Sequence, residues 1–215
     1  KFAGYAYSGN IGWINLGTTY YRMGRWDDSI PAFQTALQLQ PTADGYGNLG
    51  AAYFYAGKFD DARVNFEKAV ELNPKSHVDL GNLGDALRFL GQKDKAGAVY
   101  DRAIAEGFKT LQVNPRDPKT LSELGLFYAK KGDPAKAQDF LRRARAIDKN
   151  DVDLMYKLVV ADALSGKGED AVKGLKEAVA KGYPAREAAN DPDLKSLQAR
   201  ADFQQIIKQS GGGAK

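Results

Sequence analysis

The chain has 215 residues, 43% of them apolar and 27% charged, with a net charge of +4, a single histidine and no cysteine. These values exclude collagen-like, wholly disordered and membrane-inserted classes, since no apolar run approaches the ~18 residues a membrane helix needs. Without cysteine there is no thiol catalysis, disulfide framework or thiolate metal site, and His77 alone cannot build a histidine cluster. The composition therefore argues against most enzymes, and no catalytic residue, metal ligand or cofactor is expected.

Residues 1–9 come first and differ from the rest of the chain. Ala3, Tyr5 and Tyr7 alternate, which predicts an extended leader. The first 57 residues hold 12 of the 23 aromatic residues but only three basic and three acidic side chains, and the whole excess of positive charge lies after residue 115. Phe2, Tyr5 and Tyr7 precede the first repeated unit and lack cover there. They are expected to bury themselves on a neighbouring copy, each ring removing roughly 150–250 Å² from water. Lys1 in place of Met suggests a processed product or a fragment, and both a cytoplasmic and an exported location stay open.

From residue 10 a repeat sets the organisation. A Leu-Gly pair recurs at Leu16-Gly17, Leu49-Gly50, Leu83-Gly84 and Leu124-Gly125, with glycine spacings of 33, 34 and 41. A second glycine follows each pair after seven residues (Gly24, Gly57, Gly91, Gly132), and Gly166 continues that series. Beyond it stand a small residue (Ser29, Ala62, Ala96, Ala137, Ala171), a large one (Phe33, Phe66, Tyr100, Leu141, Leu175) and an alanine (Ala36, Ala69, Ala103, Ala144, Ala178). Each unit reads as two helices: the turn glycine ends the first, and Pro41, Pro74 and Pro115 stop the second. The predicted units are 10–42, 43–76, 77–117, 118–151 and 152–181. The third is longer by seven residues, about two helical turns, which predicts a second helix of about 94–112 projecting past its neighbours. In the fifth, Val159 and Asp162 replace the usual glycine and tyrosine. After residue 181, Leu194, Leu197, Phe203, Ile206 and Ile207 mark a helical cap over 182–210, as the open end of a repeat stack requires. Residues 211–215 form a glycine-rich tail.

This phased pattern resembles the tetratricopeptide repeat family over roughly residues 10–181. The resemblance implies an all-α, right-handed superhelical solenoid of five helix-turn-helix units whose first helices line a concave face. On that face an asparagine precedes the Leu-Gly pair at Asn15, Asn48 and Asn82. In this family an asparagine there often holds the backbone of a bound extended peptide, and an amide offers both the donor and the acceptor such a backbone needs. The alternative role is to bond neighbouring helices. Tyr21 and Arg22, Phe54 and Tyr55, and Arg88 and Phe89 follow on the same helices, and aromatics beside arginine suit peptide recognition. Residues from about Gly81 to Phe203 also resemble a tail module of bacterial signalling proteins, including some serine/threonine kinases. The residues carrying that likeness are Gly81 to Asp85, Val113 to Asp117, and Asp191 to Leu194.

Other features read blandly. Ser165-Gly166-Lys167-Gly168 lacks the spacing and the upstream strand of a phosphate loop. Arg142, Arg143 and Arg145 sit near Asp139 and Asp148 on a helix face expected to be solvated, so nucleic acid is not an expected partner. The expected function is a non-catalytic protein-interaction scaffold with a protein or peptide partner, acting through its groove and through self-association into a homo-oligomer or polymer. Two alternatives are a structural subunit that stacks end to end into a filament or tube, and the regulatory tail of a signalling enzyme.

Overall fold

The computed structural model describes residues 2–211, and the side chains of residues 9–209. Within them all regular structure is helical. Five helix pairs follow one another: α1 (Phe2–Arg22) with α2 (Trp26–Leu39), α3 (Ala43–Tyr55) with α4 (Phe59–Leu72), α5 (His77–Phe89) with α6 (Lys93–Val113), α7 (Pro118–Lys130) with α8 (Pro134–Ile147), and α9 (Val152–Leu164) with α10 (Gly168–Ala180). Then come α11 (Ala185–Asn190), a 3₁₀ turn (Pro192–Leu194) and α12 (Ala201–Gly211). The chain divides into two compact units, Lys1–Glu106 and Gly107–Lys215.

The pairs close on one contact. A Cβ placed on Gly17 or Gly50 would lie 2.7 Å from the ring of Phe33 or Phe66, and one on Gly84 would lie 2.6 Å from Tyr100. Gly125 stands in the same relation to Leu141, at 2.7 Å. A large residue of the second helix thus rests directly on the backbone of the first. In the last pair the roles are exchanged: α9 carries the buried Val159, and the small residue is Gly174 of α10, whose added Cβ would meet Val159 at 3.2 Å. Each turn between paired helices has its glycine at positive φ, from 66° at Gly24 to 81° at Gly132, a region other residues enter only with strain. Helices α3, α5, α7 and α9 begin with side-chain caps: Thr42, Ser76, Asp117 and Asp151 each accept a backbone N–H of the next turn.

Three expectations need correction or completion. Residues 2–9 are not extended, because α1 starts at Phe2. The repeat helix supplies the nucleus, and with no proline in this stretch each added residue costs little. The side chains of Phe2, Tyr5 and Tyr7, and the tail residues 212–215, lie outside the described residues. The added turns make α6 a 21-residue helix, close to the expected 94–112, and they are packed on one face while Phe108 and Val113 stay exposed. In the second unit Leu111 is buried, Phe108 meets Phe140 edge-on at 5.8 Å, and Gly107 lies against Leu124.

The end of the second unit is covered as expected. Leu194, Leu197, Phe203 and Ile206 join Val159, Val172 and Leu175 in one buried cluster. Tyr183 stacks on Tyr156 at 4.0 Å, and the Tyr156 hydroxyl donates to Asp191 Oδ2 at 2.6 Å. Lys130 Nζ lies 3.6 Å from Asp193 Oδ2, both side chains nearly fully buried. Ser165 to Lys167 forms the turn between α9 and α10 and Gly168 opens α10, with Lys167 Nζ 4.0 Å from Asp162. Burial, and then the charge of Asp193, pushes the Asp191 carboxyl up to about 6.

The helix-pair contact and the cap each yield an expected outcome. Gly50→Ala should destabilise the protein by about 1–3 kcal/mol, because the methyl must displace the Phe66 ring. Gly97→Ala, on an open face of α6, should stabilise it by up to about 1 kcal/mol through helix propensity. Urea unfolding of the two variants, with opposite signs, checks the pair. For Asp191, a raised carboxyl means that the folded state holds the proton more tightly than the unfolded chain. Its stabilising contribution is present below about pH 4 and is lost as pH rises through about 6. Asp191→Asn, neutral throughout, should therefore match the parent at low pH and exceed it at neutral pH by up to about 3 kcal/mol. Urea melts of both proteins across that range would show the divergence.

Candidate interaction surface

In the first unit α3 lies beside both α1 and α5. Each helix carries a stripe at helical spacing outside its buried face: Asn15, Thr18 and Arg22 on α1, Asn48, Ala51 and Tyr55 on α3, Asn82, Asp85 and Phe89 on α5. Asn15 is exposed, and Asn48 and Asn82 are half-buried. Among the described residues none of these three side-chain amides makes a hydrogen bond within the protein. Other asparagines behave differently: Asn10 donates to Gln40 at 2.9 Å, and Asn65 to the Asp61 carbonyl at 2.8 Å. The amides in register therefore do not tie helices together.

Asp85 and Arg88 are held from behind. The hydroxyl of Tyr100, a buried residue of α6, donates to Asp85, and Arg88 Nε donates to that hydroxyl at 3.4 Å. Burial drives the Tyr100 phenol far above its usual range, so it stays a neutral donor. The Arg88 guanidinium lies over the Phe89 ring at 4.4 Å. This corner places a carboxylate, a guanidinium and the free amide of Asn82 on one helix, a set suited to hydrogen-bonding an extended backbone and one charged side chain.

The nominated aromatics come together mainly with each other. Tyr21 meets Tyr55 edge-on at 5.8 Å, Phe54 meets Phe89 at 5.4 Å, and Phe54 and Tyr55 touch at 5.6 Å. Two residues not singled out complete the group: Trp26 stacks on Tyr55 at 5.6 Å, and Phe59 on Phe89 at 5.1 Å. A signal existed for both, since each stands two residues after a turn glycine, Gly24 or Gly57. Each such ring pair contributes about 0.5–1.5 kcal/mol beyond its buried area. The half-buried rings thus join successive repeats while showing one side to solvent. Arg22 is exposed beyond their end.

The second unit fills the corresponding positions with its own groups. Glu123 and Lys157 stand where Asn48 and Asn82 stand, just before the leucine. Lys157 Nζ donates to Ser122 Oγ at 2.9 Å and lies 3.9 Å from Glu123. Burial lowers the Lys157 ammonium. The unbonded amides are thus a property of α1, α3 and α5.

Family profiles described as Tetratricopeptide repeat match residues 10–75, and residues 48–107 and 82–152. No curated protein matches the chain in sequence. Among solved structures, the chain is similar to a thermophilic TPR protein of Thermus thermophilus, with 19% identity, a TM-score of 0.63, and coverage of 94% of this chain and 98% of that one. Pseudomonas aeruginosa pilF is 17% identical with a TM-score of 0.54, covering 98% of this chain and 91% of its own. Cut9-Hcn1 of the APC/C is 18% identical with a TM-score of 0.55, covering 94% of this chain and 36% of its own. These likenesses concern the fold, and the profile matches, which together run from residue 10 to residue 152, show that the chain belongs to the tetratricopeptide repeat family.

Proposed function

We propose that this protein is a non-catalytic interaction scaffold whose first unit holds an extended segment of a partner protein along α1, α3 and α5. The observation that carries this reading is the row of amides at Asn15, Asn48 and Asn82, in register on neighbouring helices and without a hydrogen bond of their own. An amide left unpaired inside its own protein keeps a donor and an acceptor for an incoming peptide bond. Arg88 and Asp85, steadied by Tyr100, supply charge at one end of the row, and the aromatic edge from Tyr21 to Phe89 supplies apolar contact. A peptide selected from a displayed library on the intact protein gives the test. Asn48→Ala and Asn82→Ala should each weaken it by about 1 kcal/mol, with thermal melting unchanged. Unchanged affinity in the double variant would locate the ligand elsewhere.

Of the two further readings, the regulatory-tail module rests on the sequence resemblance of residues 81–203 alone. Association of copies has an observation behind it. From Phe2 to Tyr21 helix α1 carries no charged residue, and it leaves Trp13 and Leu16, three residues apart on one face, each about 40% exposed. An uncharged helix with a bare apolar face is better covered than solvated. If copies meet there, intact protein should form oligomers that grow with concentration in sedimentation runs, and the Trp13→Glu/Leu16→Glu double variant should stay monomeric. A monomeric intact chain at high concentration would dispose of this reading.

A further inference from the structure

Two junctions between repeats occupy the same register and carry opposite chemistry. Between α2 and α3, Ile30, Phe33 and Leu37 meet Leu49 and Ala52 in a buried cluster, with Tyr53 packed against it. Gln34 Nε2 donates to the Tyr53 hydroxyl at 3.0 Å. Aligning the turn glycines, Gly24 with Gly132 and Gly57 with Gly166, carries this junction onto the one between α8 and α9. Ile30, Leu37 and Tyr53 then fall on Gln138, Arg145 and Asp162, while Phe33 falls on Leu141. Where the first unit has an apolar plug, the second has an open groove of about 530 Å³.

The groove is chemically polarised. Its floor is Leu141, Leu158 and Ala161, and its rim is Arg142, Arg145 and Lys149. Arg142 is engaged by Asp139 at 2.8 Å, but Arg145 and Lys149 form no ion pair among the described residues. At the far wall stands half-buried Asp162, with Lys167 at 4.0 Å. A smaller hollow of about 290 Å³ continues past Asp162 along α10 and shares Arg145 and Leu158.

We propose that this groove is a docking site for an acidic segment of a partner protein that inserts a tyrosine. The ring would rest on Leu141 and Leu158, in the space that the Tyr53 ring of this chain fills at the other junction, but entering from the rim with its hydroxyl foremost. Its hydroxyl would donate to Asp162, and carboxylates flanking it would reach Arg145 and Lys149. The vacated ring position supplies the shape, the two unpaired cations supply the charge complementarity, and half-buried Asp162 supplies a hydrogen-bond acceptor on the far wall. The site lies on other helices than the amide row and stands or falls separately from it.

The test is a titration of isotope-labelled full-length protein, followed by NMR, with the blocked peptide Glu-Glu-Tyr-Glu-Glu. Controls replace its tyrosine by alanine, or its glutamates by lysine. Saturable shifts confined to the surroundings of Arg145, Leu158 and Asp162, and seen with the acidic tyrosine peptide only, are the expected result. Arg145→Glu should weaken binding about tenfold. Asp162→Tyr, which refills the groove as in the first unit, should abolish binding and raise the melting temperature. The Asn48→Ala/Asn82→Ala variant should bind this peptide like the parent, which separates the two sites. Equal shifts from all three peptides, no shifts at millimolar peptide, or parental affinity in Asp162→Tyr would overturn the proposal. If that variant fails to fold, Arg145→Glu, altered at an exposed side chain, decides alone.

Discussion

The fold depends on the missing side chain at Gly17, Gly50, Gly84 and Gly125. At each, a ring or a leucine from the partner helix occupies the space a methyl group would need. Helices brought this close exclude water along their whole seam, and Ala36, Ala69, Ala103, Ala144 and Ala178 are correspondingly buried to 2% exposure or less. Interiors packed to this density tolerate little change in volume, so the seam is the part of each pair most sensitive to substitution. The exchange at Val159 and Gly174 shows that the requirement is for one small and one large partner and does not specify which helix provides which.

Because the seam closes each pair by itself, the outward positions of the first helices are released from structural duty. The two units use that release differently. In the first, α1, α3 and α5 leave amides without partners and set half-buried rings edge to edge. In the second, the same register carries Glu123 and Lys157, which engage each other and Ser122, and the terminal segment brings Asp191 and Asp193 onto Tyr156 and Lys130. Charges sunk this deep persist only where they are paired and hydrogen-bonded, so the second unit's polar groups turn inward.

The junctions between pairs follow the same logic. Four large apolar residues seal the contact between α2 and α3, whereas Gln138, Arg145 and Asp162 leave the contact between α8 and α9 open above a leucine floor. Each of these helices still packs on its own partner, Leu141 of α8 on Gly125 of α7 and Val159 of α9 on Gly174 of α10. Polar replacement outside the seam alters what the surface can bind without dismantling the pair.

What the sequence determined by itself is what is local or periodic. Turn glycines, stopping prolines, and the Leu-Gly, aromatic and alanine positions recur at fixed spacing, and they specify helix pairs because each reports on one turn or one buried stripe. The alternation of Ala3, Tyr5 and Tyr7 misled for the same reason: a pattern of three residues carries less weight than the repeat helix that runs into it. The tertiary structure decided which side chains fill which space. It closed Trp26 and Phe59 into the aromatic group, packed the added turns of α6 against α7 and α8, paired Lys157 with Glu123, and left Asn48, Asn82 and the groove at Asp162 unfilled. Those outcomes depend on distances between residues often more than thirty positions apart, and a periodic pattern says which face of a helix is covered but not by what.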